Sequence, residues 1–162
     1  MNNEITGTDI EKLDYVHVSA LLRETKRGPG GKHTIRKILQ NSLLDRNSLV
    51  LDIGCNTGFT TLEIARTVKC QVIGIDPVQE AIDTAMLQLN SDTNEIKKLV
   101  SFQKGSALEL DFSNNTFDLV VTGGATSFID EKQKAINEYY RVMKPWGFLS
   151  VTNLCYLTDP PE

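Results

Sequence analysis

The sequence predicts an α/β fold, a mostly parallel sheet with helices on both faces. Three observations carry this. Short apolar stretches alternate five times with stretches whose apolar residues recur at helical spacing. The short stretches are apolar throughout rather than at every second position, so both faces of each strand are covered. Glycine or proline ends most of them, at Gly54, Pro77, Gly105 and Gly123.

The elements follow in order. Ile10, Leu13, Val16, Ala20 and Leu21 mark a first helix, and "KRGPGGKH", residues 26–33, is a flexible break. Ile35, Ile38 and Leu39 start a second helix. "RNSLVLDIG" is the first strand, closed by a glycine turn, and Phe59, Leu62, Ala65 and Val68 stripe the helix after it. "CQVIGID" is the second strand; Val78, Ala81, Ile82, Ala85, Met86 and Leu89 then give a strongly amphipathic helix. A polar stretch at residues 90–95 precedes a short helix at Ile96–Leu99 and a third strand in "LVSFQKG". "FDLVVTGG" is the fourth strand. Ala135, Ile136, Tyr139, Val142 and Met143 mark the last helix. "KPWG" makes a turn with Trp146 as a packing residue, and "FLSVTNL" is the fifth strand. Residues 1–45 read as an N-terminal helical cap and residues 46–162 as the sheet domain.

A chain of 162 residues with 40% apolar and 23% charged residues suffices for one domain with a real core. A net charge of −4 without a strong basic run disfavours nucleic acid as a partner. No apolar run approaches the ~20 residues that cross a bilayer, so no membrane partner is expected. The N-terminus lacks the basic and apolar segments of a secretory signal. Cys55, Cys70 and Cys155 have no metal-ligand spacing and read as reduced thiols of a cytoplasmic protein.

In a parallel sheet, ligands sit at the carboxyl ends of the strands. That singles out Gly54–Gly58, Asp76, Gly105–Ala107 and Thr122–Ala125. A dinucleotide fingerprint would place glycines at relative positions one, three and six. Those positions hold Gly54, Asn56 and Phe59, and Phe59 fills the place where the third glycine lets helix and strand approach. The alternative template is an acid followed by alternating glycines. Asp52, Gly54 and Gly58 match it, with Asn56 in the middle glycine's place. Asn tolerates positive φ better than most residues.

On these residues the chain resembles the class I S-adenosylmethionine-dependent methyltransferases. Other segments extend the likeness over residues 28–153. "GSALELDF" is similar to the family's segment after strand three, with Ser106 where an acid is common. "FDLVVTGGAT" is similar to its fourth strand and exit, and "RVMKPWG" to its turn before strand five. "GPGGKHTIRKIL" resembles the Gly-Gly segment of small-molecule methyltransferases.

The resemblance implies a three-layer Rossmann-like sandwich and S-adenosyl-L-methionine as cofactor. It implies methyl transfer to a small-molecule acceptor by in-line attack, with no triad required. The cofactor-binding residues it implies are Asp52, Gly54, Cys55, Asn56, Gly58, Asp76, Pro77, Ser106, Ala107, Thr122 and Gly123. Asp76 lies 76 − 54 = 22 residues after Gly54, near the spacing of a ribose-binding acid. It also suits a helix cap with Pro77 in the first turn. No base is assigned; Tyr15, His17 and His33 on the N-terminal cap are candidates. An NAD-type oxidoreductase and a non-catalytic binding subunit remain as alternatives. The family sheet has seven strands, so this one is expected to be cut short after strand five. Either the chain is a piece of a longer protein, or a partner such as a second copy in a homodimer completes the edge.

Overall fold

The computed structural model describes residues 30–152. The first helical stripe, Tyr15, His17 and Cys155 lie outside the described residues, as do the last two residues of "FLSVTNL". The elements are α1 (Gly31–Asn41), β1 (Leu49–Ile53), α2 (Phe59–Val68), β2 (Gln71–Asp76), α3 (Gln79–Asn90), α4 (Asn94–Leu99), β3 (Val100–Lys104), β4 (Phe117–Gly123), a 3₁₀ turn (Ala125–Phe128), α5 (Lys132–Val142) and β5 (Met143–Thr152).

The five strands form one sheet in the order β3-β2-β1-β4-β5, and every pair is parallel. Parallel neighbours need crossovers, which the intervening helices supply. β1 lies at the centre, so its LVLDI is buried from Val50 to Ile53. Alternate residues feed opposite faces. Val50, Val72, Leu119 and Val121 pack with Ile35 of α1, Leu62 of α2, Leu89 of α3 and Ile96 of α4. Leu51, Ile53, Ile75 and Val120 pack with Ala135, Tyr139 and Val142 of α5. This is the expected sandwich with both sheet faces covered.

Three local details differ from the sequence reading. The break at 26–33 gives way to α1 already at Gly31, because Gly30 and Gly31 take the left-handed φ values of 76° and 51° that turn the chain there. The "KPWG" turn lies inside β5 rather than before it. The β4–β5 register jumps from Phe117↔Met143 to Leu119↔Phe148, so Lys144–Gly147 bulge outwards. Lys144 Nζ is anchored on Asp118 at 2.8 Å, and a Cβ on Gly147 would stand 2.9 Å from the Lys144 carbonyl. Trp146 sits at the tip of this bulge with φ 66° and is 98% exposed, so it is not a packing residue.

Candidate functional site

The turn after β1 is built from backbone. The amides of Gly54 and Cys55 both donate to the Ile75 carbonyl at 2.9 Å, and the Gly58 amide donates to the Cys55 carbonyl at 2.9 Å. The turn needs left-handed backbone at Gly54 (φ 70°), Asn56 (φ 48°) and Gly58 (φ 88°). Space is as restrictive as φ. A Cβ on Gly54 would collide with Ala125, and one on Gly58 would stand 2.6 Å from the Phe102 ring. Asn56 takes the left-handed conformation expected of it. Its amide donates to Asp76 Oδ2 at 2.9 Å, which ties the end of β1 to the end of β2. Its side-chain oxygen Oδ1 is buried without a hydrogen-bond partner. A buried orphan acceptor is costly and rare, and marks a place where a ligand donor fits.

Asp52 lies within β1, 1% exposed, on the α2 side of the sheet. Its Oδ2 accepts the Thr61 hydroxyl at 2.6 Å, joining β1 to α2. A Cβ at Gly74, beside Asp52 on β2, would stand 2.8 Å from that hydroxyl. Burial pushes the Asp52 carboxyl up to about 7, and the nearby Asp76 charge adds to the rise. Asp76 is also raised, chiefly by burial, against two backbone hydrogen bonds that favour its charged form. The second of these comes from the Val78 amide to Oδ1 at 3.0 Å. α3 begins only at Gln79 with Val78 as its cap residue. Asp76 therefore forms a turn ahead of the helix rather than capping it, and exposed Pro77 lies before the first turn.

Burial pushes the Cys55 thiol well up, reinforced by Asp52 and Asp76. A thiol held protonated is no nucleophile. At the end of β3, Ser106 is exposed, and its hydroxyl oxygen accepts the Leu108 amide at 3.1 Å. Ala107 beside it is half-buried. At the end of β4, Thr122 is fully buried and shares a chain of hydroxyls with Thr126 and Tyr139, each step 3.2 Å. Gly123 has open space where a Cβ would be. His33 is exposed in the first turn of α1.

The fold thus brings the strand ends of the sequence reading to one edge of the sheet. It adds three residues that reading missed, Thr61, Gly74 and Phe102, and packs the already singled-out Ala125 against Gly54. Gly74 carried a signal, since a glycine inside a strand marks close approach of a neighbour. Thr61 and Phe102 carried none, because only the crossover brings them to the turn.

Residues 51–151 match the family model described as a methyltransferase domain, and this span holds the whole turn, Asp76 and the ends of β3 and β4. The chain belongs to the methyltransferase domain family. The demethylmenaquinone methyltransferase of Lactiplantibacillus plantarum is 30% identical over 81% of this chain and 54% of its own length. The sterol 24-C-methyltransferase of Saccharomyces cerevisiae is 34% identical over 67% of this chain and 28% of its own. Among solved structures, the MccD protein matches with a TM-score of 0.76 and 26% identity, over 83% of this chain and 58% of that one. The chain spans about half the length of the first curated relatives it matches, 52% and 54%.

Proposed function

We propose that this methyltransferase-family chain binds S-adenosyl-L-methionine and transfers its methyl group to a small-molecule acceptor. The observation that carries the reading is the buried, unpartnered Asn56 Oδ1 on a left-handed turn tied to Asp76. The residues present fit the cofactor. Gly54 against Ala125 and Gly58 against the Phe102 ring hold the turn in one shape, and the orphan Asn56 oxygen on it accepts one of the cofactor's donors. Bound there, S-adenosylmethionine supplies a methyl group on a positively charged sulfur, already a good leaving group.

The chain's own residues position and align. Asp76 holds the turn through one oxygen and keeps lone pairs on both for the ribose hydroxyls. Asp52 and Thr61 fix α2 to β1 and so fix the glycines between them. Gly54, Cys55, Asn56 and Gly58 contribute backbone, with Pro77 flanking Asp76. Ser106 and Ala107 form the adenine side, and Thr122 and Gly123 the methyl-transfer side. Alignment of acceptor and methyl group then supplies much of the acceleration. In this reading residues 46–162 carry the cofactor and residues 1–45 form a cap, consistent with the burial of Ile35 of α1 against α2. The acceptor class is supported by relatives named for menaquinone and sterol methylation. The site lies in the cytoplasm, with Cys55 and Cys70 as free buried thiols.

Calorimetric titration with S-adenosylmethionine, S-adenosylhomocysteine and NAD tests the proposal. Binding of the first two and not the third is expected. Binding of NAD alone would refute it.

A further inference from the structure

The segment between β3 and β4 is long and nearly devoid of regular structure. Its one internal pairing is the isolated bridge Ser106↔Glu109. A buried backbone without a ladder must find other partners, and here they come from the last turns of α5. Glu138 Oε2 accepts the Leu110 amide at 2.7 Å. Arg141 donates to the carbonyls of Leu110 at 2.8 Å and Phe112 at 2.7 Å, and to Asn114 Oδ1 at 3.0 Å. The same guanidinium grips Glu138 with two nitrogens at 2.7 and 2.8 Å. That grip holds the Glu138 carboxyl down at about 2, from an ordinary 4.5. The amide of buried Leu110 is thus satisfied by Glu138, and its carbonyl by Arg141 together with the Phe112 amide at 2.8 Å, while Arg141 and Glu138 form a bidentate pair of high geometric specificity.

The clamp reaches the strand end through short links. The Glu109 amide donates to the Ser106 carbonyl at 3.3 Å, and the Leu108 amide to its hydroxyl at 3.1 Å. Fixing Leu110 therefore fixes Ser106 and Ala107, four and three residues earlier across one short turn.

We propose that Glu138 and Arg141 are positioning residues that set the adenosine side of the cofactor site by clamping the segment after β3. This rests on the S-adenosylmethionine reading above. The pair touches no ligand itself; it acts through Leu110.

The test uses the 162-residue chain and two ligands that share the adenosine: S-adenosylhomocysteine and 5′-methylthioadenosine, which lacks the amino-acid end. Arg141→Met is expected to weaken both by the same factor, roughly ten-fold, as for other residues that act by orienting a contact group. Glu138→Gln, which keeps an acceptor for the Leu110 amide, is expected to retain most of the affinity for both. Should Arg141→Met not fold, Glu138→Ala replaces it with the same expectation. Unchanged affinities in a folded, merely less stable variant would overturn the proposal. So would a loss confined to S-adenosylhomocysteine, which would place the effect at the amino-acid end. If the unaltered chain binds neither ligand, the cofactor reading itself fails, a different outcome from either.

Discussion

Replacing Asp52 by Asn should remove a pH dependence of stability that the natural chain carries. The carboxyl is 1% exposed and its folded-state value stands at about 7, against an ordinary 3.8. Below about pH 4 it is neutral in both states, and its contribution is fully present. Between about 4 and 7 the unfolded chain ionises while the folded chain keeps its proton, so stability falls as pH rises. Above about 7 the loss is complete. At about 1.4 kcal/mol per pH unit, the gap amounts to about 4 kcal/mol. Asn keeps an oxygen to accept the Thr61 hydroxyl and has nothing to titrate. Urea unfolding of both proteins at steps from pH 4 to 8 reads the effect. The stability of Asp52→Asn minus that of the natural chain should climb through this range and then level off. Taking the difference cancels the other titrating groups, apart from Asp76, whose charge couples to Asp52. A difference that stays flat would refute the burial argument.

Two further expectations concern the turn and the buried thiols. Gly58→Ala forces a Cβ to 2.6 Å from the Phe102 ring at φ 88°, and should cost about 2–4 kcal/mol by denaturant unfolding, the joint scale of left-handed strain and overpacking; a loss under about 0.5 kcal/mol would show that the ring yields freely. Cys55 and Cys70, buried and with their thiols pushed up by burial, should resist iodoacetamide at pH 8 in the folded chain and react once it is unfolded. Mass spectrometry of the labelled peptides reads this, and rapid labelling of Cys55 in the native chain would contradict it.

Much of the architecture was legible because hydrophobic periodicity and strand-ending glycines are local signals. The five strands and the helices between them follow from it. The left-handed Asn56 was legible too, from an Asn standing in a glycine's place in the motif. Apart from the early start of α1, the misreadings turn on contacts distant in sequence. Trp146 reads as a packing residue until β5 is paired with β4, when the turn becomes a bulge and the indole faces outwards. The cap, the alternative role for Asp76 beside ribose binding, gives way because Asn56 and Val78 both claim its oxygens and α3 starts only at Gln79. Thr61 carries no local signal and Arg141 stands only within the turn segment "RVMKPWG"; their partners lie on β1 and in the segment after β3. The acceptor is not written in the strand ends, whose residues serve the turn and its neighbours.

The most direct test of the central claim is the affinity of S-adenosylhomocysteine for the natural chain and for Asp76→Ala, measured by calorimetry. Loss of the carboxylate removes charged hydrogen bonds worth about 1.5–3 kcal/mol, so the variant should bind at least about ten-fold more weakly. Circular dichroism of the variant confirms that it remains folded. Equal affinities in the folded variant would contradict the account.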